Sequence, residues 1–600
     1  MRVRAAMTAA AAATLVGAFL VGPAQAAPRQ LERSPVAVGF GGAVATVDPE
    51  ATRVGVEVLR KGGNAIDAAI AAAATLGVTE PFSSGIGGGG FLLFHDARTG
   101  RVHTIDGREA APAAMTETAF IDPDTNQPYA FQEARVSGIS VGVPGTPATW
   151  DEALRRWGTT SLAQALRPAI QVADRGFVVD STFHQQVVDD TAIFGQFDST
   201  SALYLPGGQA PAVGSIFRNR DLAQTYRLLA QRGMSEFYRG AIAGDIVRTV
   251  QDPPLAAEPI GTWAPPIRPG GMQVSDLSSY DARLPAPTHV GYRDVDVYGM
   301  PTPSSGGQAV GEALNILETS DLGALPRTQA LHRYLEASAL AFADRNRYVG
   351  DDTPRALLDE LLSDGFAGER ACQIDPTQAL VKPVAPGVPD GSYASCATAA
   401  AVAADTGGMS TTNLTVADRW GNMVEYTLTI EQIGGNGMVV PGRGFLLNNE
   451  LTDFNFAPTQ GSAADPNLPA PGKRPRSSMS PTIVLRDGRP FLAVGTPGGS
   501  TIITTVLQTL VNRLDLGLGL PEAIAAPRAT QRNTSAVLAE PGFAPDEPGL
   551  EALGHVFAPT GEIGAATGVE LLPDGRVVAA AEPTRRGGGS AGVVQPSGTP

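Results

Sequence analysis

The sequence predicts an α+β protein in which antiparallel sheet is covered by helices, and two features predict it. After Ser410 the chain becomes a series of paired apolar runs joined by tight turns. Ile483 to Leu485 and Phe491 to Val494 flank Arg486-Asp487-Gly488, and Val569 to Leu572 and Val577 to Ala580 flank Asp574-Gly575. An Asp-Gly turn between apolar runs is the strongest local hairpin signal, because its left-handed backbone matches the twist of the strands it joins. Before about residue 360, by contrast, much of the chain carries helix starts and stops. The 70 glycines and 48 prolines also suit many turns and close backbone approaches better than a helical bundle.

Taken in order, Arg2 and Arg4 precede an apolar run from Ala9 to Val21, and Ala24-Gln25-Ala26 follows as a small-x-small cleavage site. This reads as an export signal over residues 1–26, with the mature chain starting near Ala27 and a secreted or periplasmic location. A membrane anchor is disfavoured because the run is short for a bilayer and ends in Gly22-Pro23. Asp48-Pro49-Glu50 starts a helix that runs to Arg60, since an acid caps free N–H groups and proline fits the first turn. Gly62-Gly63 ends it. Asn64 caps an Ala-rich helix from Ala65 to about Leu76, with Asp67 at its third position. Strands Phe91 to His95 and Arg101 to Ile105 form a hairpin that presents Asp106-Gly107-Arg108-Glu109 at its end. Residues 150–360 read mostly as helices, for example Leu331 to Asn346, and residues 372–408 as a loose connector. Strands Thr412 to Val416 and Met423 to Ile430 flank Asp418 to Asn422, and Thr501 to Leu514 is a helix.

Composition narrows the function. The 600 residues are 43% hydrophobic, as in a globular protein, and a net charge of −16 argues against nucleic acid or an anionic membrane as partner. The two cysteines, Cys372 and Cys396, lie in one Pro/Gly-rich segment. In an oxidising milieu a disulfide closing that loop is expected, with two free buried thiols as the alternative. Two cysteines cannot build a cysteine-rich zinc site and the six histidines include no HExxH, so neither metal nor cofactor is expected. Two apparent motifs fail on context. Gly85 to Gly90, "GIGGGG", matches a dinucleotide fingerprint but precedes a strand, not a helix. Gly138 to Gly142, "GISVG", matches a nucleophile elbow, but Pro144 and Pro147 block the helix that must follow Ser140.

The stretch Gly407 to Val416, "GGMSTTNLTV", poses the chemical question. Cleavage between Ser410 and Thr411 would give Thr411 a hydroxyl and a free α-amine on one residue. With a pKa of about 7.7–8.0, that amine could take the hydroxyl proton, directly or through water. No histidine is needed. Before cleavage the same hydroxyl could attack the Ser410 carbonyl, with Gly407-Gly408 giving the chain room to rotate. Ordinary strand threonines are the plainer alternative.

Eight segments in order bear on that choice: "GGNAIDAAIAA", "GIGGGGF", "IDGREAAP", "SSGG" (Ser304 to Gly307), "TTNLTVAD", "GFLLNNELTDF", "KRPRSSMSPTIV" and "GTPGGSTIITT". Together they resemble the γ-glutamyltransferase (glutathione hydrolase) family of N-terminal-nucleophile hydrolases, over nearly all of the mature chain. The resemblance implies a four-layer αββα sandwich with two antiparallel sheets. It implies a large fragment over 27–410 and a small one over 411–600, associated as one unit. It makes Thr411 the nucleophile of self-processing and catalysis, braced by Thr429, with the Gly498 and Gly499 N–H groups holding the oxyanion. Arg108, Ser477 and Ser478 would hold the α-carboxylate of a γ-glutamyl group, and Glu450, Asp453 and Glu431 its ammonium. That is coherent chemistry, since arginine offers a rigid fork to a carboxylate and converging acids need a cation between them.

The implied substrates are glutathione and related γ-glutamyl compounds, with water, amino acids or peptides as acceptors. Two departures stand out. Glu431 occupies a position where the family usually has asparagine, and it can accept from the ammonium but not donate. The loop between Asp453 and Ser477 has no tyrosine to form a lid and looks shortened, which favours hydrolysis over transfer. Two other readings compete. A glutaryl- or cephalosporin-type acylase would leave the three acids unpaired. A non-catalytic binder of γ-glutamyl compounds would have no use for Thr411.

Overall fold

A computed structural model describes residues 30–393 and 410–597. The export signal, Gly407-Gly408 and Cys396, and with Cys396 the expected disulfide, lie outside the described residues. Twelve strands form one sheet: β1 (Val36–Thr46), β2 (Gly89–Asp96), β3 (Arg101–Gly107), β4 (Thr288–Tyr292), β5 (Val295–Gly299), β6 (Thr412–Asp418), β7 (Met423–Thr429), β8 (Thr482–Arg486), β9 (Arg489–Gly495), β10 (Thr567–Leu571), β11 (Val577–Ala581) and β12 (Ser590–Pro596). Their order is β3-β2-β7-β6-β1-β11-β10-β9-β8-β5-β4, with β12 also on β1, and every pairing is antiparallel.

The sheet curls over on itself. β6 and β10 are three places apart in that order, yet Thr415 Oγ1 lies 2.9 Å from Thr567 Oγ1, and Asn413 Nδ2 donates to Thr567 Oγ1 at 2.9 Å. At Gly495 on β9 a Cβ would sit 2.2 Å from Glu425 Oε1 on β7, so that approach requires glycine. The β3-β2-β7-β6 half therefore faces the β10-β9-β8 half. Strand alternation sorts the side chains. Leu414 and Val416 of β6, with Val424, Tyr426 and Leu428 of β7, pack outward into one core, whereas Asn413 and Thr415 point into the gap between the halves. In β2, Leu92 and Phe94 join that outer core and Phe91 and Leu93 the other.

Helices cover both outer faces. On one side lie α1 (Pro49–Arg60), α2 (Ala65–Thr79), α3 (Leu162–Arg175) and α4 (Arg220–Arg232); on the other lie α5 (Gly306–Glu318), α6 (Arg327–Tyr348) and α7 (Thr501–Leu514). The result is the four-layer sandwich. Every residue of α2 is buried, which its small side chains permit, and it packs on β6 and β7. The expected caps hold it: Asn64 accepts from Asp67 N, and Asp67 returns a bond to Asn64 N. Asp67 also accepts from Thr159 N at 2.9 Å and Thr160 N at 3.0 Å, which ties the loop before α3 to this helix.

β1, the β4–β5 hairpin and β12 are strands that carry no clear signal in the sequence. The two refused motifs are indeed structural: "GIGGGG" leads into β2, and Ser140 donates to Arg135 O and Ser137 O at 2.8 Å each. Among the described residues no helix is long and apolar enough to cross a membrane.

Candidate active site

Thr411 precedes β6 on the polar parity that includes Asn413 and Thr415, so it sits at one end of the gap between the sheet halves. The β6–β7 register pairs Thr412 with Leu428, which brings Thr429 alongside Thr411. Both hydroxyls are buried. Thr411 Oγ1 donates to Ser410 O, and Thr429 Oγ1 donates to the same oxygen at 3.1 Å while accepting from Glu431 N at 2.9 Å. Thr429 thus grips the carbonyl beside the nucleophile rather than its hydroxyl. Around this peptide, Ser410 Oγ bonds Ser83 Oγ at 3.1 Å, and Arg586 donates to Ser83 Oγ at 2.8 Å and to Thr411 O.

These groups open onto a cavity of about 670 Å³. Its lining contains Thr411, Thr429, Arg108, Glu431, Glu450, Asp453, Ser477, Ser478 and Gly499, so nine of the ten residues singled out from the sequence meet there. The tenth, Gly498, adjoins Gly499. Both glycines have positive φ, 139° and 58°, immediately before α7. A side chain at Gly498 would press on Thr501 Oγ1.

The floor is charged, and Arg108 and Glu450 in it are fully buried. Arg108 is ion-paired with both Glu450 and Asp453. The residues expected to hold opposite ends of a zwitterion therefore hold one another. Burial works against the Arg108 charge, but Glu450, Asp453 and Glu109 offset it and keep the guanidinium above its usual pKa. Burial, with Asp453 adding and Arg108 opposing, pushes Glu450 up to about 7. Glu431 has φ of 77°, in the left-handed region that suits asparagine better than glutamate. It accepts from Asn449 Nδ2 and Gln432 Nε2, and burial, then Asp453 and Glu450, raises its carboxyl well above the ordinary range.

Three contributors are not evident from the sequence. Glu109 is fully buried, and no donor faces either of its oxygens or Glu450 Oε2. Burial and then the Glu450 charge push its carboxyl well above the ordinary range. The only available signal was its place in the Asp106 to Glu109 hairpin end. Arg345, on α6, donates to Ser478 Oγ at 2.8 Å and Ser305 Oγ at 2.7 Å. The "SSGG" segment holds the same loop, because Ser305 Oγ donates to Ser477 O and Ser304 Oγ to Met479 O, both at 2.6 Å. Third, Tyr129, Phe131 and Phe456 form an aromatic side of the cavity. A tyrosine is thus present although the loop after Asp453 lacks one.

Elsewhere, buried His332, Glu336 and His555 place potential metal-ligand atoms within 4.8 Å of one another. These groups already bond to one another and to their neighbours: Lys382 pairs with Glu336, and His332 Nδ1 lies 2.8 Å from His555 Nε2.

The chain is similar over most of its length to known proteins. A family model described as gamma-glutamyltranspeptidase matches residues 51–592. A glutathione hydrolase proenzyme of Bacillus subtilis (strain 168) is 38% identical over 532 residues, 88% of this chain and 87% of its own. An acylase ACY 1 proenzyme of Pseudomonas sp. (strain V22) is 34% identical over 559 residues, 92% and 93%. The solved cephalosporin acylase of Bacillus halodurans superposes with a TM-score of 0.78 at 28% identity, over 96% of this chain and 99% of its own.

Proposed function

Because the chain belongs to the gamma-glutamyltranspeptidase family, we propose that it is an exported, self-processing enzyme that cleaves the γ-glutamyl amide bond of glutathione and related compounds. One observation carries the proposal: a buried threonine poised on its own peptide carbonyl opens onto the same cavity as an arginine braced by carboxylates. In processing, Thr411 Oγ attacks the Ser410 carbonyl carbon and its proton passes to the departing Thr411 nitrogen. The C–N bond breaks and an ester forms, and Thr429 donates to the oxygen on which charge develops. Water then hydrolyses the ester, leaving a Ser410 carboxylate and a free Thr411 amine. In catalysis that amine takes the Thr411 proton, and the hydroxyl attacks the γ-carbonyl of the substrate. The Gly498 and Gly499 amides receive the oxyanion, the amine leaves protonated, and water or an amine acceptor takes the γ-glutamyl group from the ester. The substrate's head takes over the ion pairs of the floor: its carboxylate bonds Arg108, Ser477 and Ser478, and its ammonium bonds Glu450, Asp453 and Glu431.

The acylase relatives supply the second reading, in which the acyl group has no α-amine. The acids on the floor weigh against it, because they would lose their cation. The test is a denaturing gel with N-terminal sequencing, then rates on γ-glutamyl and glutaryl anilides. The wild type should give two fragments, the smaller beginning Thr-Thr-Asn-Leu, and Thr411→Ala a single chain. The γ-glutamyl anilide should be preferred by on the order of 100-fold. An active, uncut chain refutes the threonine mechanism, and equal anilide rates transfer the assignment to an acylase.

A further inference from the structure

The cavity runs from a buried, charged floor to a more exposed aromatic rim. Arg108 and Glu450 on the floor are 0% and 1% exposed, whereas Phe131 at the rim is 39% exposed. A single exposed apolar side chain is ordinary on a protein surface; the arrangement around Phe131 is not. The Phe131 and Phe456 rings lie within 12° of parallel with centroids 6.4 Å apart, and Phe456 stacks on Phe120 at 4.4 Å and 12°. Phe120 is fully buried in a small core with Met115, Leu451 and Phe454, so the stack is anchored from below. Beside it, Arg268 caps one face of the Tyr129 ring at 4.2 Å and is itself held by Glu133 Oε1 at 2.7 and 3.0 Å. The rim is a braced array of rings, and the floor has no use for it. A glutamyl head is matched by charges, and what protrudes past the nucleophile is the amine half of the amide.

We infer that Tyr129, Phe131 and Phe456 form a subsite for the amine half of the substrate, and that the preferred amides carry an aromatic ring or comparably flat apolar group there. The inference rests on the γ-glutamyl reading, which puts the acyl half on the floor. Ring stacking together with burial of the ligand's apolar surface predicts a selectivity on the order of tenfold.

The experiment compares kcat/KM for hydrolysis of γ-glutamyl-phenylalanine and γ-glutamyl-glycine by the processed wild type, Phe131→Ala and Phe456→Ala, with processing checked on a gel. The wild type should favour the phenylalanine dipeptide about tenfold, and each alanine variant should reduce that ratio to about twofold or less. Phe131→Trp should retain it. Because Phe131 is exposed, its variants keep the test valid even if Phe456→Ala fails to fold. Equal rates for the two dipeptides in the wild type, or a ratio untouched in Phe131→Ala, overturn the subsite and leave the γ-glutamyl reading standing. If the processed wild type cleaves neither dipeptide, the γ-glutamyl reading fails and the subsite falls with it.

Discussion

Glu450 lies between a guanidinium that stabilises its charge and a second buried carboxyl, Glu109. With its pKa near 7, it changes charge within the physiological range. Only the charged form attracts a substrate ammonium, so KM for a γ-glutamyl anilide should fall as pH rises from about 6 to 8. Glu450→Gln should flatten that slope and raise KM at pH 8 by about tenfold, roughly 1.4 kcal/mol. A slope that survives in the variant assigns the titration elsewhere. The linkage to folding has the opposite sense. The native state keeps a proton that the unfolded chain has already released, so this group's contribution to stability declines as pH climbs from about 4.5 to about 7. At this scale the charged and hydroxyl residues that line the cavity were reached through the family resemblance of their segments, since each of them taken alone reads as an ordinary surface group. Glu109 was not, since its role comes from burial beside another acid. Nor was the direct pairing of Arg108 with Glu450 and Asp453, which links residues more than 340 positions apart in the chain.

Among the elements, the polar stripe on β6 and β7 explains why this strand pair is half hydrophilic though wholly buried. Asn413 donates to Glu425 and accepts from Thr427 Oγ1 at 2.7 Å, and burial raises the Glu425 carboxyl well above the ordinary carboxylate range. Glu425→Gln should therefore be mild, costing about 1 kcal/mol or less. Gly495→Ala pushes a methyl group into this network and should cost roughly 2–3 kcal/mol. Urea unfolding of both changes in the Thr411→Ala background, which remains one chain, would measure them; a neutral Gly495→Ala would mean that the two sheet halves can part freely. The hairpins closed by Asp-Gly turns were legible in the sequence, because the turn residues themselves supply the left-handed backbone. The β4–β5 hairpin was not, because Arg293 supplies its left-handed residue and is stabilised from afar by Asp515 at 2.9 Å and Glu318 at 3.2 Å. β1 was hidden by three glycines inside its eleven residues.

Across the whole molecule, the proposed cut falls between strands that remain neighbours. β1 to β5 precede residue 410 and β6 to β12 follow it, yet β7-β6 is inserted between β2 and β1, and β11 and β12 also pair with β1. Five ladders would cross between the fragments: β2–β7, β6–β1, β1–β11, β1–β12 and β8–β5. The site is divided in the same way, with Arg108 and Arg345 on one fragment and Thr411, Glu450 and Asp453 on the other. Dilution of the cut protein should therefore leave activity intact. After denaturation in urea, the uncut Thr411→Ala chain should regain native fluorescence at any concentration, whereas the cut enzyme should recover activity poorly and in a concentration-dependent way. Equal recovery would show that each fragment folds alone.

The placement of β6 in the middle of the sheet gives the molecule a direction in time. While the chain is whole, the pairing of β6 with β1 is an encounter within one molecule; once the bond is severed, the same pairing needs two partners to meet unfolded. The precursor acts as its own jig, present during assembly and absent afterwards. An enzyme made this way is assembled once, and its working life is set by how slowly it comes apart rather than by how well it can be rebuilt.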